Sequence, residues 1–270
     1  EELEMQLSQL VKNHSVVVLK EANSNLRHDK FFGHIDRYIF NFTDADFQNY
    51  APDLLITIGQ NVVSKKVKQF LRNAKPQNHW HIHEVWQPDT FFSLTEKIET
   101  KAEQFFGKLL NHITLEPKAY YNLWDVLRDK KDLKHEEYCV GTSYSDFKFF
   151  EILAEKIPEN INLHISNSSA IRYAQLFDFQ KNSVYCNRGT SGIDGSTSNA
   201  MGFAMKDSKQ TVLVTGDLSF FYDINGLWNN YIPPYTRIIV FNNGGGDIFK
   251  IIPGPDSTNA LDEFILTKHH

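Results

Sequence analysis

Short β-branched runs that stop at polar or glycine clusters recur along the chain, separated by stretches with helical spacing of apolar residues. That alternation predicts an α/β fold. It is most regular in the second half. Ser145–Ile157 reads as an amphipathic helix with Phe149, Ile152 and Leu153 inward, stopped by Pro158. Ile161–Ile165 reads as a strand ending at Ser166-Asn167-Ser168, Ala170–Leu176 as a helix, and Ser183–Cys186 as a strand ending at Asn187-Arg188-Gly189. Gly192–Met205 is a small-residue helix, and Thr211–Thr215 a buried parallel strand bounded by Gly216-Asp217. Leu218–Tyr231 carries an aromatic-rich helical pattern closed by Pro233-Pro234, and the strand Arg237–Phe241 runs into Asn242-Asn243-Gly244-Gly245-Gly246. Four successive strands therefore end in polar or glycine clusters, which points to one composite crevice at their carboxyl ends.

The first half alternates in the same way. Ser15–Leu19, Leu54–Gly59 and His79–Val85 read as strands, Ser64–Ala74 as a helix with Ser64 as its N-cap, and Phe91–Ile113 as one or two helices. Glu116–Pro117 marks the expected boundary, and a helix from Ala119 to about Asp129 leads into the charged stretch Lys130–Glu137. The expectation is two three-layer α/β/α units with mostly parallel sheets, residues 1–116 and 117–270. Both ends read as cut: the chain opens inside a helical pattern (Leu3, Leu7, Leu10, Val11) and stops just after the amphipathic run Leu261–Thr267. An internal piece of a longer protein is expected. A native and a tag origin of His269-His270 both stay open.

Composition narrows the partners. A net charge of -5 gives no electrostatic case for nucleic acid or an anionic membrane. No apolar run approaches the ~18 residues of a membrane span, and no signal-peptide pattern opens the sequence. Cys139 and Cys186 follow no metal spacing and fit free thiols in a reducing cytoplasm.

The chemistry concentrates at the strand ends. Asp217 and Asn243 close two neighbouring strands and offer hard oxygen ligands, suited to Mg²⁺ that keeps part of its shell for a diphosphate. The glycines after Asn243 let backbone groups approach phosphate closely. The structural alternative for the pair is ordinary capping. Arg188 at a strand end suits bidentate recognition of a carboxylate, and Arg172 lies one helical turn after Ser168; surface ion pairing is the alternative for both arginines. His79, His81 and His83 share one face of a strand, but with Trp80 and Ile82 opposite, a half-buried strand explains them better than a transition-metal site. Asp194 and Asp223 receive no chemical role, and Cys186 reads as a small buried apolar residue.

These motifs carry a resemblance. Gly216-Asp217, with Asn243 as the second residue of Asn242-Asn243, is similar to the metal–diphosphate motif of thiamine diphosphate enzymes. The usual motif is Gly-Asp-Gly, whereas Leu218-Ser219 follows here. That variant, the segment Asn187-Arg188-Gly189-Thr190-Ser191-Gly192-Ile193-Asp194-Gly195 and the Ile248-Phe249 pair together resemble the MenD family of the menaquinone pathway. The resemblance is most specific from about 163 to 252 and weak before 53.

The resemblance implies a thiamine diphosphate-binding fold, with a central Rossmann-like domain over 1–116 and a diphosphate- and metal-binding domain over 117–270. It implies thiamine diphosphate held through Mg²⁺ or Mn²⁺, with Asp217, Asn243 and the Gly245 carbonyl on the metal. Gly216, Leu218, Gly246 and Ile193 would join them around the cofactor, Ile193 as the bulky residue that keeps it bent. Ser168, Arg172 and Arg188 match residues that hold substrate carboxylates, while Ile248, Phe249 and Ile252 match an apolar wall beside the reacting carbons. The alternative for each apolar residue is plain core. Lys65 and Lys66 match a basic pair that reaches isochorismate, although the second position is commonly arginine; solvated helix charges are the alternative. The implied reaction decarboxylates 2-oxoglutarate and adds the succinyl semialdehyde carbanion to isochorismate, in a cytoplasmic enzyme that is a dimer or tetramer at full length. The activating glutamate of the family lies on a separate N-terminal domain, so this chain alone is expected to be inactive. An acetolactate synthase-like enzyme or a non-catalytic nucleotide-binding α/β domain are the competing functions.

Overall fold

A computed structural model describes residues 1–114, 119–250, 254, 257 and 259–269, the side chain of Asp247 excepted. The chain divides into two compact units, Glu1–Gly141 and Thr142–His270. The expected boundary at Glu116–Pro117 lies outside the described residues. Among the described residues no helix is long and apolar enough to cross a membrane.

The first unit begins with α1 (Glu2–Leu10), α2 (Ile35–Ile39) and α3 (Asp44–Asn49). Strands β1 (Leu54–Ile58), β2 (Asn78–Ile82) and β3 (Glu96–Ile98) form a parallel sheet in that order, with α4 (Lys65–Ala74) crossing from β1 to β2. Helices α5 (Ala102–His112) and α6 (Tyr120–Gly141) follow. The two-residue period of β1 sets the layers. Leu55 packs with the cluster of Tyr38, Phe47, Phe70 and Trp124, whereas Ile56 and Ile58 pack with Leu7, Leu10, Ile82 and Phe106. Helices α2, α3, α4 and α6 thus supply one apolar cluster, and α1 and α5 the other.

α4 forms as its sequence dictates. Ser64 caps it by accepting the Val67 N–H at 2.9 Å, and Val67, Phe70, Leu71 and Ala74 bury one stripe. Other segments depart from expectation. Ser15–Leu19 alternates its side chains between the two clusters as a strand would, but it makes only an isolated parallel bridge, Leu19 to Phe32. The segment Phe91–Ile113 holds β3 and one helix rather than helices alone. The charged stretch Lys130–Glu137 continues α6 to Gly141, because it holds good helix formers and no proline or glycine. Tyr121, Trp124 and Leu127 bury that helix in the first unit.

The second unit runs α7 (Asp146–Lys156), β4 (Asn162–Ile165), α8 (Ser169–Ala174), β5 (Ser183–Cys186), α9 (Ser196–Ala204), β6 (Thr211–Gly216), α10 (Asp217–Tyr222) and β7 (Thr236–Phe241). Its sheet is parallel, in the order β5-β4-β6-β7. Residues 211–215 of β6 are fully buried, as expected of that β-branched apolar run, and β4 is fully buried although it carries Asn162 and His164. On α7 the inward residues are Phe150 and Leu153, while Ile152 is exposed and Phe149 half-buried. Phe150 is fully buried between Tyr173, on which it stacks at 5.8 Å, and Phe241, which it meets edge-on at 5.6 Å between ring centroids. The expected helix over 218–231 ends early at Tyr222, and a 3₁₀ turn over Ile224–Leu227 absorbs Asn225-Gly226.

Candidate functional site

The chain leaves β4 towards β5 on one side and leaves β6 towards β7 on the other. Adjacent strands whose connections diverge open a crevice at their carboxyl ends. Ser166, Asn167 and Ser168 follow β4, Asp217 follows β6, and Asn243 lies two residues beyond β7.

Asp217 is buried, 5% exposed, and its carboxylate is surrounded by donors. Oδ1 accepts the Leu218 N–H at 2.8 Å, and Oδ2 accepts the Gly244 and Gly245 N–H groups, both at 3.0 Å. His269 Nε2 stands 2.9 Å from the same Oδ2. The glycines are required where the loop closes. Gly245 has φ +150°, and a Cβ there would sit 2.5 Å from the Leu266 carbonyl oxygen. Asn243 donates from Nδ2 to Asp146 at 3.2 Å, while its buried Oδ1 has no hydrogen-bond partner among the described residues.

An unsatisfied buried carbonyl oxygen is costly, and a cation is one way to satisfy it. Asp217, Asn243 Oδ1 and the Gly245 carbonyl are hard oxygen donors and fit a small divalent cation. No group of three or more His, Cys, Asp or Glu side chains among the described residues is placed to hold a metal, so carboxamide and backbone oxygens would complete the shell. Four further hydroxyls of this unit, those of Ser166, Ser196, Thr197 and Thr236, are likewise buried without a partner among the described residues.

Arg188 is half-buried after β5 and donates from Nη1 to Asn167 Oδ1. Arg172 is half-buried on α8, and Ser168 precedes that helix with φ +76°, a left-handed conformation rarely taken by serine. Ile193 is half-buried, with its carbonyl accepting the Ser219 hydroxyl at 2.5 Å. Ile248 and Phe249 are half-buried in a 3₁₀ turn, Asp247–Lys250, while Ile252 lies outside the described residues. Gly216 ends β6 and Gly246 is buried, its N–H donating to the Leu266 carbonyl at 2.6 Å. In the first unit, Lys65 is exposed on the first turn of α4, and Lys66 Nζ lies 4.9 Å from the centre of the Phe40 ring.

Sequence reasoning passed over Asn167, Ser219 and His269. Asn167 and Ser219 stand beside recognised motif residues, but nothing in a linear motif marks a side chain that turns back to hold a neighbouring loop. His269 is 52 positions from Asp217. Asp223, left without chemistry, accepts the Ser198 N–H at 2.6 Å and serves α9 structurally. His164 on β4 packs against Tyr185 and Phe203, and burial pushes it down to about 4.

Fold and strand-end donors define the class: a parallel α/β protein with polar residues at the switch point of its second sheet. No family model matches the chain. It is 48% identical over 261 residues to the 2-succinyl-5-enolpyruvyl-6-hydroxy-3-cyclohexene-1-carboxylate synthase of Flavobacterium psychrophilum. To the synthases of the same name from Flavobacterium johnsoniae and Christiangramia forsetii it is 45% identical over 265 residues and 43% over 270. These alignments cover 96%, 98% and 98% of this chain, but the chain spans only about half the length of each relative, 48%, 48% and 47%. Over nearly its whole length the chain is thus homologous to about half of such a synthase.

Proposed function

We propose that this chain is the central and diphosphate-binding portion of a 2-succinyl-5-enolpyruvyl-6-hydroxy-3-cyclohexene-1-carboxylate synthase, acting on 2-oxoglutarate and isochorismate. The first unit corresponds to the Rossmann-like central domain and the second to the metal and diphosphate domain. One observation carries the reading of the site: neighbouring parallel strands bring a buried Asp217 and an unsatisfied Asn243 Oδ1 to one glycine loop, in a chain homologous to these synthases.

In this reading Asp217, Asn243 and the Gly245 carbonyl hold Mg²⁺ or Mn²⁺, and Gly216, Leu218 and Gly246 border the diphosphate. Thiamine diphosphate supplies, when bound, an electron sink for the charge released as 2-oxoglutarate loses carbon dioxide. The chain's own residues do the rest. Ser168, Arg172 and Arg188 clamp carboxylates, which fixes the 2-oxo acid and removes orientational freedom before reaction. Ile193 supports the cofactor from one side, and Ile248, Phe249 and Ile252 exclude water from the reacting carbons, where low polarity favours loss of a charged carboxylate. Lys65 and Lys66 supply positive charge for the isochorismate carboxylates. The complete enzyme is a cytoplasmic homo-oligomer, and the 270-residue chain alone has no synthase activity.

Calorimetric titration of thiamine diphosphate, with and without Mg²⁺, tests this on the complete enzyme and its Asp217→Ala variant. Metal-dependent binding that vanishes in the variant is the expected result. Equal binding by both proteins would overturn the site.

A further inference from the structure

Three consecutive carbonyls in the loop between β5 and α9 are held by side chains from other strand ends. Asn167 Nδ2 donates to the Ser191 carbonyl and, at 3.0 Å, to that of Gly192. Ser219 Oγ donates to the Ile193 carbonyl at 2.5 Å. The opposite end of the Asn167 carboxamide, Oδ1, accepts from Arg188 Nη1. Asn167 is 4% exposed, so these bonds form away from competing water.

We propose that Asn167 is a positioning residue that sets the direction of the Arg188 guanidinium and the seat of Ile193 together. The inference rests on the assignment of Arg188 to a substrate carboxylate. The chemistry of the partners selects a carboxamide. A guanidinium only donates and a peptide carbonyl only accepts, so a side chain between them must accept on one side and donate on the other. An aspartate would face two carbonyls with negative charge. It would also place a negative charge against Arg188, whereas neutral asparagine orients the guanidinium without forming an ion pair with it. The next residue, Ser168, takes φ +76° and ψ -131°, a conformation that persists only where its surroundings over-determine it.

The test is a double-mutant cycle on the complete enzyme with thiamine diphosphate and Mg²⁺, read as KM and kcat for 2-oxoglutarate. Asn167→Ala is expected to raise KM roughly tenfold, the usual effect of losing a hydrogen bond to a charged group, with a smaller change in kcat. Added to Arg188→Ala, the same substitution should raise KM less than about twofold, because the group it orients is gone. Asn167→Asp keeps size and fold and should also raise KM, through its ion pair with Arg188. Calorimetric affinity for thiamine diphosphate should fall several-fold in Asn167→Ala and stay unchanged in Arg188→Ala, since it is Asn167 that donates to the carbonyls preceding Ile193. A full-sized Asn167→Ala effect on KM in the Arg188→Ala background, or wild-type KM in both Asn167 variants, overturns the proposal. Wild-type KM in Arg188→Ala alone removes the assignment on which it stands, and identifies that assignment as the fault.

Discussion

His269 Nε2 lies 2.9 Å from Asp217 Oδ2, joining a residue near position 270 to the carboxylate that follows β6. The His269 N–H also donates to the Gly244 carbonyl at 3.3 Å, and its ring meets Phe221 edge-on with 5.0 Å between centroids. The imidazole therefore occupies one approach to the oxygen that a cation would need. Removing it should favour the cation. His269→Ala is expected to tighten Mg²⁺-dependent thiamine diphosphate binding several-fold, on the scale of about 1 kcal/mol for one hydrogen bond. Weaker binding in calorimetry would show that His269 assists the cation instead of competing with it.

Gly245 offers a test of the loop itself. Its φ of +150° is strained for any L side chain, and an alanine Cβ would meet the Leu266 oxygen at 2.5 Å. Strain of this kind costs about 1–3 kcal/mol. Gly245→Ala should lower Tm by a few degrees and abolish metal-dependent cofactor binding. A thermal melt matching wild type would mean that the loop does not close on Leu266.

The strands and the residues that close them were legible because both are written locally. Thr211–Thr215 announces a buried strand and Arg237–Phe241 a second strand, although β7 lies at the sheet edge with only Phe241 buried; Asp217 and Asn243 follow the two within two residues. What escaped was non-local. Ser15–Leu19 has the composition of a strand, yet whether it joins a ladder depends on a partner, and Phe32 supplies only one bridge. The spacing on α7 reads as a stripe of Phe149, Ile152 and Leu153, whereas Phe150 takes the buried place against Tyr173 and Phe241, neighbours that lie far along the chain. The role of Asn167 likewise depends on where Ser191, Gly192 and Arg188 come to rest.

Three buried histidines make stability depend on pH. Burial pushes His164 from 6.5 down to about 4, and His79 and His81 are lowered for the same reason. Between about 4 and 6.5 the unfolded chain holds more protons at position 164 than the folded one. Stability therefore rises with pH across that window and is complete above 6.5. The contribution of His164 is about 3 kcal/mol, from about 1.4 kcal/mol per pKa unit. Urea unfolding should show a falling midpoint as pH drops from 6.5 to 4, with a shallower fall in His164→Gln. Identical slopes in variant and wild type would place the proton uptake elsewhere.

Ser64 ties helix geometry to the candidate basic pair. Its hydroxyl oxygen accepts the Val67 N–H at 2.9 Å and its proton goes to Asp36, while Glu21 accepts the N–H groups of Val63 and Ser64, both at 2.8 Å. The first turn of α4, which carries Lys65 and Lys66, is thus fixed by two carboxylates and a hydroxyl from within the first unit. Ser64 is only 3% exposed, so water cannot readily replace its hydroxyl in Ser64→Ala. That variant should lose about 1–2 kcal/mol, the upper range for a cap, in urea unfolding of the first unit. Ser64→Thr, which keeps the hydroxyl, should recover most of it if its added methyl group is accommodated. The Glu21 contacts would leave the helix in place, so hydrogen exchange in Ser64→Ala should quicken at the Val67 amide and hardly change at Phe70 and Leu71. Exchange that quickens equally along α4 would mean that the cap holds the whole helix rather than its first turn.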